Sequence, residues 1–427
     1  MRASFTVPVA AFVAGSAAYS TNPITELSRI GLLQTPVDIL PPSQDPWYTA
    51  PHNFEAAAPG AILRLRAARG NLTSITTNSS EAYQILYRTT NSQYQPTWAV
   101  TTFFTPKSSN QTSASNNKLL SYQVPYDSAD VDASPSYAQY GAAFPDVTKA
   151  LGQGWFVNVP DYEGPNASFT AGVQSGHATL DSIRAVLNSG FGLEQNGTRY
   201  AMWGYSGGAL ASEWAAELQV QYAQDLSFAG AALGGLTPNV TSVLAATNGG
   251  IAAGLIPAGI LGLASQYPEL LQYIKENLNN EGKYNATGFL MARNQTLAES
   301  IGAFVFQNIT QYFKNGEQSL SNPLSQRIIN RDGIMGYHGV PQMPIFAYKA
   351  IKDEISPIND TDKLVDRYCA IGATIKYERN TVGGHTDEST NGDARAFAFL
   401  EQVLGGTFNQ TGCQIENVTV NVTSTGV

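Results

Sequence analysis

The stretch Arg199-Tyr-Ala-Met-Trp-Gly-Tyr-Ser-Gly-Gly-Ala-Leu constrains this chain more than any other. It holds the one Gly-x-Ser-x-Gly of the sequence, Gly204-Tyr205-Ser206-Gly207-Gly208, behind the apolar run Ala201, Met202 and Trp203. After it, Leu210, Trp214, Leu218 and Tyr222 recur at four-residue steps, the stripe of a helix that lies against a sheet. Strand, sharp turn and helix in that order read as a nucleophile elbow, in which a strained backbone lifts a serine hydroxyl clear of the sheet. Cβ atoms at Gly204 and Gly208 would collide there. A glycine-rich turn without chemistry could carry the same letters; the flanking strand and helix favour the chemical reading.

The rest of the chain supplies a sheet for that elbow. Two β-rich runs, Tyr83 to Thr90 and Thr97 to Phe104, flank Asn91-Ser-Gln-Tyr-Gln-Pro as a hairpin. Lys118 to Val124 and Gly154 to Pro160 are further strands, with helices predicted over 144–152 and 177–188. Phe228 to Gly234 follows the elbow. Strands alternating with helices imply a mainly parallel sheet covered on both faces, the α/β class.

From Val240 to Met335 the pattern turns helical, and it includes the apolar run Gly250 to Ala264, which Pro257 interrupts. This block reads as a helical cap inserted into the core. The strand pattern resumes at Met343, a helix is expected from Asp362 to Ala370, and Ala373 to Tyr377 is the last strand. A final helix runs from about Ala394 to Leu404. The predicted organisation is thus a signal peptide (1–18), an N-terminal arm (19–80), a core in two parts (81–235 and 336–412), a cap (236–335) and a C-terminal tail (413–427).

Charge and export signals narrow the function. Only 13% of residues are charged, and the net charge is −9, which disfavours nucleic-acid binding. Arg2, an apolar run to Ala14 and Ser16-Ala17-Ala18 have the form of a secretory signal. Thirteen Asn-x-Ser/Thr sequons, Asn71, Asn285 and Asn417 among them, agree with secretion as an extracellular glycoprotein. The two cysteines, Cys369 and Cys413, suggest one disulfide, two buried thiols being the alternative. No run of about eighteen uncharged apolar residues follows the signal, so no transmembrane anchor is expected.

A serine hydroxyl needs a base to take its proton, usually an imidazole held by a carboxylate, and on the hydrolase sheet these follow the order serine, acid, histidine. Of four histidines, His52 and His177 precede Ser206, and His338 precedes the best acid candidate. His385, in a glycine-flanked loop, satisfies the order. Asp353 follows the Met343 strand directly and is the expected acid, with Glu354 as its rival; Asp360 and Asp362 sit where a helix cap is wanted. Cys369 and Cys413 bracket the His385 loop. Backbone amides must hold the developing oxyanion: Gly207 supplies one by position, and the end of the third strand, at Asp127, is the natural source of the other. The chemistry calls for no metal and no cofactor.

These residues resemble the fungal secretory lipases of the lipase A type, from about Asn71 to Cys413. The likeness rests on Gly204-Tyr-Ser-Gly-Gly208, Asp353-Glu-Ile-x-Pro357, Gly384-His385, Pro160-Asp-Tyr-Glu-Gly164, and Tyr126-Asp127 followed by Ser134-Pro-Ser-Tyr137. The resemblance implies an α/β-hydrolase with a helical cap, a triad of Ser206, Asp353 and His385, and an oxyanion hole from the Asp127 and Gly207 amides. Members differ in substrate, from triacylglycerols to acetyl esters of small metabolites such as trichothecenes. The expected activity is therefore that of a serine carboxylic-ester hydrolase: first a triacylglycerol lipase, working at a lipid–water interface, and as the alternative a small-ester deacetylase. A peptidase using the same triad and an inactive hydrolase fold used for binding are the rivals from other classes.

Overall fold

The computed structural model describes residues 39–110, 117–193 and 197–422; the expected signal peptide lies outside them. Ten strands form one sheet: β1 (Ile62–Ala67), β2 (Ser79–Thr90), β3 (Pro96–Pro106), β4 (Lys118–Gln123), β5 (Phe156–Pro160), β6 (Arg199–Tyr205), β7 (Gly230–Gly234), β8 (Ile345–Ala350), β9 (Ile375–Asn380) and β10 (Cys413–Val418). Their order is β1-β2-β3-β5-β4-β6-β7-β8-β9-β10. The first three strands and the β3–β5 pair are antiparallel, and all pairs beyond β5 are parallel.

Parallel strands must be joined by crossovers, so helices cover the sheet. Helices of two turns or more are α1 (Pro145–Gly152), α2 (Gly172–Leu187), α3 (Gly207–Tyr222), α4 (Val240–Thr247), α5 (Leu255–Ala264), α6 (Pro268–Asn277), α7 (Leu297–Phe304), α8 (Pro323–Asp332), α9 (Ile358–Ala370) and α10 (His385–Gly405). Helix α3 packs on α2 and buries Leu210, Trp214 and Leu218, each stabilising by roughly 1.5–3 kcal/mol. Helix α10 lies along β7 and β8, where Phe397, Phe399 and Leu400 meet Trp203 and Phe346 in one apolar cluster.

Between β7 and β8 the chain leaves the sheet for α4 to α8. An antiparallel bridge of Asn239 with Ile334 closes the neck of this excursion. It has a core of its own, in which Leu261, Tyr267, Phe289, Phe304 and Phe313 pack together.

Three segments differ from the sequence reading. The 19–80 arm contains a true strand, β1, whose Leu63 and Leu65 alternate with Arg64 and Arg66 and which pairs with β2. The 413–427 tail opens with β10, paired in parallel along the whole of β9. His385 stands not in a loop but at the first position of α10, a helix that begins nine residues before the expected Ala394. Cys369 and Cys413 form a disulfide with Cα atoms 5.8 Å apart, tying α9 to the start of β10.

Candidate active site

Ser206 caps α3 with φ 53° and ψ −120°, a conformation L-residues avoid. The glycines around it are there for contact. A Cβ on Gly204 would sit 2.2 Å from the Gly208 backbone, and one on Gly208 would sit 1.9 Å from the Gln123 carbonyl oxygen. The elbow is thereby wedged between β4 and its own helix. No smaller side chain exists to replace either residue.

The carboxyl ends of the parallel strands bring the remaining groups to this turn, the edge where open α/β sheets place their ligands. His385 Nε2 lies 2.9 Å from Ser206 Oγ, and its Nδ1 lies 2.7 Å from Asp353 Oδ2. The other Asp353 oxygen accepts the amides of Ile355 at 2.9 Å and Ser356 at 2.7 Å. Burial pushes the Asp353 carboxyl up. The His385 hydrogen bond, the Lys349 ammonium and the Ser356 amide outweigh burial and hold it down at about 2.

Glu354, the rival acid, does a different job. Its Oε2 accepts the backbone N–H of His385 at 2.8 Å, while the Tyr205 hydroxyl donates to the His385 carbonyl. The N–H and the C=O of His385 are thus both pinned, which fixes the backbone that carries the imidazole. Asp360 and Asp362 sit inside α9 rather than at its cap; Asp362 bonds the Tyr377 hydroxyl and Arg379, each at 3.0 Å. His177 is buried against Thr90 and stacks on Tyr222, and His338 lies beside Glu217.

Asp127 follows β4 and also has a left-handed backbone, φ 44°. Its carboxyl crowds the elbow: a Cβ on Gly207 would lie 1.8 Å from Asp127 Oδ1. That oxygen is buried without a hydrogen-bond partner among the described residues, and burial pushes the carboxyl up to about 7. The loop is clamped from behind. Tyr162 donates to the Val124 carbonyl at 2.7 Å, the Tyr126 hydroxyl accepts the Glu163 amide at 2.7 Å, and Asp161 accepts the Ser136 amide at 2.8 Å. The two motifs Pro160 to Gly164 and Ser134 to Tyr137 therefore act together, as the mount of the Asp127 turn.

Two spaces open from Ser206. One is a narrow apolar slot of about 150 Å³ between α3 and the cap, lined by Phe169, Leu210, Val240, Leu244, Ile260 and Ile329. Glu317, Ser321 and Gln326 also line it. The other is a chamber of about 1160 Å³ on the His385 side, lined by Tyr122, Lys149, Trp203, Tyr348, Thr386 and Asp393 under Ile251 and Leu255 of the cap. Asp127 borders both.

Sheet order, cap and strained serine turn together define an α/β-hydrolase. A family model described as secretory lipase matches residues 132–412. The chain is 54% identical over 399 residues to a trichothecene C-3 esterase of Fusarium sporotrichioides, covering 90% of this chain and 89% of the relative. It is 36% identical to lipase A of Arthroderma benhamiae over 411 residues, 91% and 85% of the two chains. The solved structure of Candida antarctica lipase A in its closed state superposes with a TM-score of 0.79 at 29% identity, over 88% of this chain and 89% of that one. The chain belongs to the secretory lipase family and is a carboxylic-ester hydrolase of the lipase/esterase type. Among the described residues no helix is long and apolar enough to cross a membrane.

Proposed function

We propose that this chain is an exported serine esterase that cleaves a short acyl group from a bulky, partly polar alcohol. The unequal spaces at Ser206 carry the reading. A cavity of about 150 Å³ has room for a molecule of about six carbon atoms, which suits an acetyl or other short acyl group in the slot. The chamber is several times larger and mixes aromatic walls with Lys149, Asp393 and the Tyr122 hydroxyl, which suits a hydroxylated polycyclic alcohol. The 54% identical trichothecene C-3 esterase makes an acetylated trichothecene the first substrate to test.

In this reading His385 Nε2 takes the Ser206 proton as Oγ attacks the ester carbonyl, and Asp353 holds the imidazolium that forms. The amides of Asp127 and Gly207 receive the oxyanion. Collapse of the tetrahedral adduct passes the proton from His385 to the leaving alcohol. Water, deprotonated by His385, then frees the acid and restores Ser206.

A second reading, a triacylglycerol lipase, is supported by the lipase relatives and by the mainly apolar lining of the slot, which suits an acyl chain. Initial rates on a trichothecene acetate, tributyrin and triolein separate the two. Short acyl esters should exceed triolein in kcat/KM by at least about a hundredfold, as differential burial of acyl carbons permits. Equal rates, or a jump in rate at the triolein interface, would favour the lipase.

A further inference from the structure

Lys349 is the penultimate residue of β8, and its side chain is wholly buried, a rare place for an ammonium. Its Nζ meets two acceptors: Asp353 Oδ2 at 2.9 Å and the Leu236 carbonyl at 2.7 Å. The Leu236 oxygen also takes the hydroxyl of Ser356 at 3.2 Å. Asp353 Oδ2 is the very atom that bonds His385 Nδ1. One carboxylate oxygen is thus shared by a permanent donor on one side and by the imidazole on the other. Burial pulls the Lys349 pKa down, and Asp353, Asp360 and Asp362 oppose that pull.

We propose that Lys349 is a positioning residue of the ester hydrolysis, which locks the Asp353 carboxylate and, by its charge, opposes protonation of His385, so that turnover persists to lower pH. The inference rests on the roles given above to Ser206, Asp353 and His385. A carboxylate beside an imidazole favours the imidazolium, and an ammonium on the same oxygen takes part of that preference back. The other groups around the histidine are mostly acids: Glu354 from the β8 loop on its amide, Asp387 on the neighbouring Gly384 amide at 3.0 Å and Glu388 one helical turn further along α10, with the Tyr205 phenol on its carbonyl and Lys149, already paired with Asp393, lining the same chamber. Lys349 brings the opposite charge to the Asp353 oxygen itself. Its grip on the Leu236 carbonyl fastens the same point to the chain that leaves β7 for the cap. The neutral imidazole is the working base, so a group that disfavours the imidazolium widens the working range on the acid side.

The experiment is the pH profile of kcat/KM for the wild type, Lys349→Met and Lys349→Gln on a soluble acetate ester. Both substitutions remove the charge, while glutamine keeps a donor for Leu236. The acid limb should move up by about one pH unit in both, with KM at pH 8 changed less than about twofold, and glutamine should retain more of kcat than methionine. An acid limb that stays in place in both variants overturns the proposal even where kcat falls, because lost packing lowers turnover without moving the limb. Should neither variant fold, nitrogen-15 NMR of the wild type decides: an ammonium at Lys349 across the active pH range supports the proposal, and a neutral amine refutes it. Ser206→Ala, run alongside, keeps the two readings apart. An active Ser206→Ala sinks the triad itself, whereas an inactive one with an unmoved acid limb in Lys349→Gln sinks only the lysine.

Discussion

At the rim of the sheet, Ser206, Asp353 and His385 are held by amides, carboxylates and backbone contacts that leave no slack: two amides on Asp353, a carboxylate on the His385 amide, a glycine against the Gln123 carbonyl. The cap across from them offers mainly Val240, Leu244, Leu255 and Ile260 to the slot, and it packs around a separate apolar cluster. The rim can tolerate almost no change of shape, because its work is set by hydrogen-bond lengths. The cap can exchange one apolar side chain for another and alter only the room available. On the proposed function, the reaction and the choice of acyl group are thus housed in different parts of one chain, a division that suits a family whose members differ in substrate.

Four measurements would break or sharpen that division. Ser206→Ala should lower kcat by on the order of a million-fold on every ester, and an ester still cleaved at a substantial rate would place the reaction outside the rim. Gly207→Ala forces a Cβ into the space of Asp127 Oδ1, 1.8 Å away. If the Asp127 and Gly207 amides hold the oxyanion as proposed, it should cost on the order of 10² to 10³ in kcat with little change of KM. Ile260→Trp in the cap should spare acetate turnover within about threefold while lowering kcat/KM on hexanoate esters by about tenfold, since a filled slot removes burial of only a few methylenes. If acetate and hexanoate fell together, the cap would be taking part in the reaction.

The smallest effect concerns stability. Burial pushes Asp127 and Asp161 up to about 7, and burial with the nearby Asp393 does the same to Asp146. All three belong to the sheet side. Acids whose folded pKa is raised stabilise fully below their unfolded value near 4, and that stability is lost as pH rises through about 7. Asp353, held down at about 2, is ionised throughout that interval and adds no slope. The Tm of the Ser206→Ala protein should therefore drop by a few degrees between pH 5 and pH 8, and a flat or rising Tm would contradict the burial of those acids.

Much of the rim was legible because steric rules write themselves into the residues. The glycines at 204 and 208 have a single reason to be there, and serine, acid and histidine follow the order that the sheet requires. Strand β1 was hidden by the prolines around it, although Ile62-Leu-Arg-Leu-Arg carries the alternation that marks a strand. Strand β10 had no such signal: it lies at the edge, mostly exposed, and its register is set by pairing with β9 rather than by its own pattern. Gly383-Gly384 reads as a loop, yet Gly384 is the residue from which α10 starts. The parts played by Glu354, Tyr162 and Tyr205 depend on contacts between distant segments, which spacing does not encode. Lys349 left one trace, a charge inside the apolar strand Ile345-Phe-Ala-Tyr four residues before an acid.

The outermost strand has a practical side. Beyond β10 nothing pairs with it among the described residues, so its outer flank offers a bare row of amides and carbonyls, an invitation for a second molecule to add on. The sequon at Asn417 falls in that row. A sugar attached there would act as a fender along the open border, and batches made in a host that adds none should be the ones that clump on concentration.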